Sequence, residues 1–262
     1  MPAADLPLLI DAARIAGRVA TSFTGPAAAR WDKPGDAGPV TEADLAVNDV
    51  LASTLRLARP DYGWLSEETE DDAKRLSADT LFIIDPIDGT RSFVEGARTW
   101  AISIAVAHQG QITAAAIYLP RRDKLYAAGK GLGATLNNTP LTATHADMEP
   151  GSTVLAARPN FNDKHWRNGA PPVDRHYRPS LAYRLSLVGE GRFDGMITLR
   201  PSWEWDIAAG ALIVSEAGGT ITDRTGAPLR FNNSHPALNG VVAAGPRLHS
   251  ALVNELGPER AA

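Results

Sequence analysis

Hydrophobic residues recur at helical spacing in two segments near the N-terminus. Over residues 6–23 the apolar positions fall on one face of a helix of about five turns, which Thr24-Gly25-Pro26 ends. A second helix is predicted to begin after Thr41, with Asp44 three residues on in a capping-box-like arrangement, and to end near Arg59-Pro60. The turn-rich residues 31–39 before it predict a loop or short hairpin. The chain therefore begins with two amphipathic helices.

Short apolar runs bounded by turn residues predict a sheet in the following segment. The predicted strands are residues 62–65, 81–84, 100–107, 112–118, 125–128 and 134–136. Tight turns such as Gln109-Gly110-Gln111 divide the last four of these strands, which favours an antiparallel meander over a βαβ repeat for them. The glycine-rich residues 129–133 lack the spacing of a phosphate loop and a following helix, so we interpret them as a structural turn.

The second half of the chain mixes helical and strand patterns. The predicted elements are a helix over 180–188, a strand over 194–199, a nearly polar-free helix from Asp206 to Gly218-Gly219, strands over 219–223 and 240–244, and a helix over 246–256. Residues 160–178 are polar and predict a surface excursion. Polar, Pro and Gly residues between His145 and Ser152 suggest a boundary, so we expect two closely packed lobes, 1–146 and 147–262.

Composition narrows the classes of function. The 262 residues carry a net charge of −4 and are 44% hydrophobic, which is typical of a globular protein and gives no basic surface for nucleic acid or an acidic membrane. Without cysteine there is no disulfide, thiolate metal site or cysteine nucleophile. No apolar run approaches the roughly 18 residues of a membrane helix, and the N-terminus lacks the pattern of a secretory signal. We therefore expect a cytoplasmic enzyme.

Two aspartates follow the most apolar predicted strand. Asp85 and Asp88 are separated by Pro86-Ile87, and a Gly-Thr-Arg-Ser segment after them is predicted to open a helix. Carboxylates bind hard cations, a helix start suits phosphate, and Mg²⁺ is commonly held by carboxylates together with substrate phosphate. The alternative is ordinary, because Asp-Pro and Asp-Gly pairs are frequent in solvated turns.

Three further acidic residues are candidates for a metal or catalytic role, and each also fits an ordinary structural role. Glu67, followed by Glu68, ends a short predicted strand, although adjacent glutamates are usually surface residues. Asp44 and Asp206 lie at predicted helix starts, where the helix dipole alone favours an acid.

Longer motifs resemble those of the inositol monophosphatase superfamily, the lithium-sensitive, Mg²⁺-dependent phosphatases. Asp85-Pro86-Ile87-Asp88-Gly89-Thr90 is similar to its first signature, and Trp205-Asp206-Ile207-Ala208-Ala209-Gly210 with Glu216-Ala217-Gly218-Gly219 is similar to its second. Ser66-Glu67-Glu68 resembles its glutamate element. Lys33 and Val40-Thr41-Glu42-Ala43-Asp44 resemble its loop lysine and second-helix start. The resemblance covers about residues 6–256.

The resemblance implies a fold, a cofactor and roles for the residues. The fold is α/β, a layered αβαβα sandwich, and the cofactor is two or three Mg²⁺ ions. One ion would be held by Glu67, Asp85 and the Ile87 carbonyl, and a second by Asp85, Asp88 and Asp206. Asp44 would orient water around a third ion, while Glu67 and Thr90 would orient the attacking water. The substrate phosphate would meet Asp88, Gly89, Thr90 and Arg91, and also Asp206. Relatives are often homodimers.

Substrate choice stays open between two phosphomonoesters. Inositol-phosphate enzymes carry a Gly-Thr/Ser-Ala turn and a glutamate seven residues before the second-signature aspartate, whereas this chain has Pro179-Ser180-Leu181 and Leu199 there. Ser180 and Arg200 resemble the bisphosphate nucleotidase branch, which acts on 3′-phosphoadenosine 5′-phosphate, and an arginine suits a second phosphate. That branch's lysine is missing, because Ala182-Tyr183 stand in its place.

Other assignments remain for the same residues and for the whole fold. Arg91 resembles the corresponding residue of histidinol-phosphate phosphatases. Leu199 also fits a strand core, and Arg184 and Arg200 also fit surface positions. Some relatives with this fold are regulators that bind transcription machinery, so a non-catalytic binding protein is an alternative of a different class.

Overall fold

The computed structural model describes residues 2–33 and 38–257. Residues 34–37 of the predicted loop 31–39 lie outside the described part, as do Met1 and residues 258–262. The α-helices of the described part are α1 (Pro2–Ser22), α2 (Glu42–Ala58), α3 (Thr90–Val94), α4 (Leu181–Gly189), α5 (Glu204–Glu216) and α6 (Pro246–Glu255). None of the helices in these residues combines the length and the apolar composition needed to cross a bilayer.

The first half of the chain forms the predicted meander. A small hairpin of β1 (Arg30–Asp32) and β2 (Pro39–Thr41) precedes α2. The large sheet contains β3 (Gly63–Ser66), β4 (Thr80–Asp88), β5 (Ala101–His108), β6 (Gln111–Leu119), β7 (Lys124–Gly129), β8 (Gly133–Leu136) and β9 (Thr139–Pro140), in that order across the sheet. β3 pairs with β4 in parallel, and the other neighbouring strands are antiparallel.

The second half forms a smaller mixed sheet. Its strands are β10 (Thr153–Ala156), β11 (Asp174–His176), β12 (Gly195–Thr198), β14 (Thr220–Thr222) and β16 (Val241–Ala244), in the order β11-β10-β12-β16-β14. A separate antiparallel pair joins β13 (Ser202–Trp203) to β15 (Ala237–Leu238) just before α5. The predicted surface excursion 160–178 contains β11, an edge strand of three exposed residues. Such a strand has no hydrophobic alternation, so its pattern does not predict it.

Helices and sheets alternate in layers. Helices α1 and α2 pack on one face of the large sheet, and α4 and α5 pack between its other face and the small sheet. Helix α6 covers the outer face of the small sheet. Leu155 faces the central helices whereas its neighbours Val154 and Ala156 face α6, as the two-residue period of a strand requires. The two sheets fall on either side of residue 146, and the division into lobes 1–146 and 147–262 stays a prediction.

Candidate metal centre

Strand β4 carries two of the predicted ligands past the point where the apolar run ends. It continues through Asp85 to Asp88, with a register shift between these two residues in the pairing with β5. In a regular strand, residues three apart point to opposite faces, so the two side chains would diverge. Pro86 lacks an N–H for the ladder, and an irregularity of this kind re-aims side chains. The bulge therefore lets both carboxylates reach one place.

Helix α5 brings the third carboxylate to the same place. Asp206 lies in its first turn, and one carboxylate oxygen from each of Asp85, Asp88 and Asp206 lies within 4.8 Å of the other two. The hydroxyl of Ser103, on the neighbouring strand β5, donates to the carbonyl of Trp205 at 3.2 Å. Residues more than a hundred positions apart thus form one cluster because α5 packs directly on the large sheet.

The cluster is electrostatically strained without a cation. Burial, followed by repulsion from Glu67 and Asp88, raises the pKa of Asp85 well above its usual range. Burial also raises the pKa of Asp88 to about 6, although hydrogen bonds from Ser180 and Ala182 oppose the shift. Asp206 has a raised pKa for the same reason of burial, with Asp88 as the next cause. A divalent cation would offset both the cost of burying these charges and their mutual repulsion, so this set of oxygen donors fits Mg²⁺.

Glu67 lies beside the cluster and forms an ion pair with Lys33. Its backbone N–H donates to the Ile84 carbonyl at 3.1 Å, which continues the β3–β4 pairing by one residue. Lys33 Nζ lies 2.9 Å from Glu67 Oε1 and 2.6 Å from Glu68 Oε1. Glu67 is among the charges that raise the pKa of Asp206, and it lines the same cleft as Asp88 and Asp206. The lysine therefore positions the fourth acid at the edge of the site.

Asp44 completes the predicted capping box with Thr41 and also contacts Thr90 of the site. Its Oδ2 accepts from the Thr41 N–H at 2.8 Å, and the Thr41 side chain accepts from the Asp44 N–H, which completes a capping box. Thr90 Oγ1 lies 3.2 Å from Asp44 Oδ1 and 3.1 Å from the Ile87 carbonyl oxygen, and its single proton serves one of them at a time. Burial raises the pKa of the fully enclosed Asp44 to about 6.

Ser180 contacts Asp88, a predicted metal ligand, rather than open solvent. Its hydroxyl donates to Asp88 Oδ2 at 2.6 Å and accepts from the Tyr183 N–H at 3.0 Å, so it caps helix α4. The Ala182 N–H donates to the same Asp88 oxygen at 2.6 Å. One Asp88 oxygen is thus held by the N-terminus of α4, and the other oxygen carries none of the hydrogen bonds in this group.

These residues lie at one wall of an open cleft of about 350 Å³. Its lining includes Glu67, Asp88, Gly89, Thr90, Arg91, Ser180, Arg184, Arg200, Trp203 and Asp206. Gly89 has φ 99°, a left-handed conformation that glycine adopts without strain, and it starts the short helix α3 at the cleft. The predicted substrate-binding residues therefore share one cavity with the carboxylate cluster.

Comparison with known proteins identifies the family. The model of the inositol monophosphatase family matches residues 5–259. The chain belongs to the inositol monophosphatase family. It is 33% identical to a Salmonella typhimurium protein named Nus factor SuhB, over 97% of this chain and 96% of that protein. It is 34% identical to an inositol-1-monophosphatase of Mesorhizobium japonicum, over 84% and 82% of the two chains.

Solved structures of inositol monophosphatase relatives share the fold. The extragenic suppressor protein suhB of Bartonella henselae matches with a TM-score of 0.81 and 29% identity, over 96% of this chain and 97% of that one. The Thermotoga maritima IMPase matches with a TM-score of 0.79 and 27% identity, over 97% and 96%. The predicted family and layered α/β fold are confirmed.

Sequence reasoning missed part of the cleft of this inositol monophosphatase relative. Arg184 is not a surface residue, since it is 7% exposed, and it lines the cleft with its guanidinium 4.5 Å from the ring centre of Tyr177. The surface assignment overlooked that α4 is apolar on nearly every side, which requires any residue at its middle to be buried. Arg200 is exposed and also lines the cleft, while Leu199 is buried in a core cluster.

Proposed function

We propose that the protein is a Mg²⁺-dependent phosphatase that hydrolyses a small phosphomonoester. The observation that carries the proposal is the convergence of Asp85, Asp88 and Asp206 within 4.8 Å beside a substrate-sized cleft. Membership of the inositol monophosphatase family supports the reaction class. So does 34% identity to a protein named inositol-1-monophosphatase.

The donors suit two or three Mg²⁺ ions. Asp85, Asp88 and Asp206 would hold the metal, with Glu67 and the carbonyl of Ile87 completing the set. Bound Mg²⁺ supplies positive charge that stabilises the phosphoryl transition state and makes water more acidic. Because the four carboxylates repel one another, the metal also satisfies an arrangement that is unfavourable alone.

The chain's own groups bind and orient the reactants. The N–H groups of Gly89, Thr90 and Arg91 lie at the start of α3 along the cleft, where they can meet phosphate oxygens. Thr90 directs its proton to Asp44 or the Ile87 carbonyl, which leaves its oxygen able to accept a hydrogen bond from the attacking water. Glu67, fixed by Lys33, is the proposed acceptor of the proton that this water gives up.

The cleft favours a substrate with a second anionic group and a planar ring. Arg184 and Arg200 add two cations near the site, and arginine recognises phosphate well. Tyr177 and Trp203 are 52% and 40% exposed at the same cleft. Arg184 covers one face of Tyr177 and Trp205 stacks on one face of Trp203, so each ring has at most its other face for stacking. Buried Leu199 offers no hydroxyl acceptor. We therefore favour 3′-phosphoadenosine 5′-phosphate, with inositol monophosphate as the alternative that the curated relative supports.

The test is phosphate release by purified protein with Mg²⁺. The substrates are 3′-phosphoadenosine 5′-phosphate, 3′-AMP, inositol 1-phosphate and histidinol phosphate, each with and without lithium. The two nucleotides differ only in the 5′-phosphate, so their kcat/KM ratio isolates the second anion. We expect the bisphosphate to be preferred, lithium to inhibit, and Arg200→Met to reduce the preference with 3′-AMP as its control. A preference for inositol 1-phosphate would refute the substrate assignment and leave the reaction class standing.

A second candidate is a binding role without catalysis. Its support is that the Salmonella relative at 33% identity is named Nus factor SuhB. Absence of turnover on every substrate above, together with a co-purifying protein partner, would favour it. The intact set of carboxylates supports the phosphatase.

A further inference from the structure

Asp206 stands in a helix turn that has no ordinary cap. The residue before helix α5 is Trp203, which makes no side-chain hydrogen bond to the helix. The first four N–H groups of a helix lack intrahelical partners, and helix ends fray when nothing satisfies them. A metal ligand must nevertheless hold its position closely. Another group is therefore needed to fix the first turn of α5.

Glu204, the first residue of α5, is anchored on the other side of that turn. It is completely buried, and its carboxylate accepts three hydrogen bonds from one loop. The donors are the Asn232 N–H at 2.7 Å, the Asn233 N–H at 2.9 Å and the Asn233 Nδ2 at 2.7 Å. The Glu204 N–H donates to the Pro236 carbonyl at 2.9 Å. Both ends of this residue are thus tied to the segment 232–236.

A buried arginine supports the same loop. Arg75 is 3% exposed and donates to Asn232 Oδ1 at 2.7 Å and to the Asn233 carbonyl at 2.9 Å. Asp71 holds its guanidinium through two hydrogen bonds of 2.6 and 2.8 Å. The Asn232 side chain in turn donates to the Arg75 carbonyl at 3.1 Å. Arg75 therefore anchors the loop independently of its contacts with Glu204.

We infer that Glu204 is a positioning residue that holds Asp206 in the metal centre by clamping the first turn of α5 to the 232–233 loop. At 3.6 residues per turn, residues two apart point about 200° away from each other, so one side chain faces the loop and the other the site. The inference rests on the proposed function, because it assigns Asp206 to Mg²⁺. Groups that orient metal ligands typically change metal affinity by about 10- to 100-fold when they are mutated.

The variant that tests the clamp is Glu204→Gln. It keeps the shape of the side chain but replaces one carboxylate oxygen by an NH2 group, which cannot accept a hydrogen bond from the loop N–H that faces it. Mg²⁺ binding to the full-length protein is measured by isothermal titration calorimetry, and the melting temperature is measured in EDTA. We expect Mg²⁺ to bind at least about tenfold more weakly. Saturating Mg²⁺ is expected to restore most of kcat for phosphate release.

The matched control is Glu190→Gln. Glu190 is a partly buried carboxylate, whereas Glu204 is completely buried, and it too is held by hydrogen bonds, from Tyr126 at 2.5 Å and Lys124 at 2.9 Å. It follows the end of α4, away from the cluster. It is expected to lower the melting temperature and leave the Mg²⁺ Kd within about twofold of the wild type. Comparison of the two variants then distinguishes a general loss of stability from a specific loss of Mg²⁺ affinity.

The outcomes distinguish this inference from the proposed function. A Glu204→Gln variant that melts earlier but keeps the wild-type Kd would overturn the inference, and so would an equal weakening of binding in the control. A wild-type protein that binds no Mg²⁺ would overturn the proposed function itself. If Glu204→Gln does not fold, Asn233→Ala carries the test, since it removes one of the three hydrogen bonds, and an unchanged Kd in that variant would refute the clamp.

Discussion

The charge on Asp88 is expected to destabilise the metal-free fold. Asp88 is 7% exposed, and burial raises its pKa from 3.8 to about 6. Replacing it by Asn removes the charge and keeps an oxygen that accepts from Ser180 and Ala182. The variant Asp88→Asn should therefore be more stable than the wild type in EDTA, although it loses a metal ligand.

The size and the pH dependence of this gain follow from the shift in pKa. The pKa of Asp88 is about two units above its ordinary value, so above pH 6 the ionised Asp88 lowers the free energy of unfolding of the metal-free wild type by about 3 kcal/mol. Because the pKa of Asp88 is raised in the folded state, this 3 kcal/mol is still present below pH 3.8, where Asp88 is protonated in both states. It is lost as the pH rises through 6. The gain of Asp88→Asn at pH 8 is thus about 3 kcal/mol, which is roughly 6–12 °C in melting temperature. At pH 5 it should be about half as large.

The assay is thermal unfolding of both proteins in EDTA at pH 5 and pH 8, repeated with Mg²⁺. Mg²⁺ should raise the melting temperature of the wild type at pH 8 and have little effect on Asp88→Asn, because a ligand stabilises only a fold that binds it. Equal melting temperatures in EDTA at pH 8, or a difference that does not depend on pH, would refute the electrostatic reasoning.

Three further predictions concern other residues of the site and of helix α6. Asp206→Asn should abolish phosphate release with an unchanged far-UV circular dichroism spectrum, and wild-type rates would contradict its role as a ligand. Ser180→Ala loses the hydrogen bond to Asp88 and the cap on Tyr183, so the free energy of unfolding in urea should fall by about 1–2 kcal/mol; an unchanged urea midpoint would count against it. Burial lowers the pKa of His249, so its contribution to stability is present above pH 6.5 and is lost as the pH falls below that value. His249→Gln should therefore flatten the fall in melting temperature below pH 6.5, and parallel curves for variant and wild type would exclude this role of His249.

Much of the fold and the identity of the candidate ligands follow from local sequence. The capping box at Thr41 and Asp44 needs only residues three apart, and it forms as predicted. The order of the meander follows from short turns between apolar strands, such as that at Gln109 and Gly110. Asp206 was predicted from the start of a polar-free helix and from a motif, both of which are local.

What sequence alone does not predict depends on contacts between distant segments. The resemblance predicts that Asp85 and Asp88 share one ion, but the bulge in β4 that brings them together appears only in the pairing with β5. The contact of Ser180 with Asp88 needs the N-terminus of α4 to face β4. The buried position of Arg184 depends on the packing around α4. The homodimer, the cytoplasmic location and the number of Mg²⁺ ions stay predictions.

The most direct test of the phosphatase assignment is phosphate release after removal and return of Mg²⁺. Purified protein is treated with EDTA, assayed on 3′-phosphoadenosine 5′-phosphate and inositol 1-phosphate, and assayed again after excess Mg²⁺ is added, with Asp206→Asn in parallel. We predict no release in EDTA, release by the wild type once Mg²⁺ returns, and none by the variant. Release that persists in EDTA, or equal release by the variant, would contradict the assignment of these carboxylates to the metal centre.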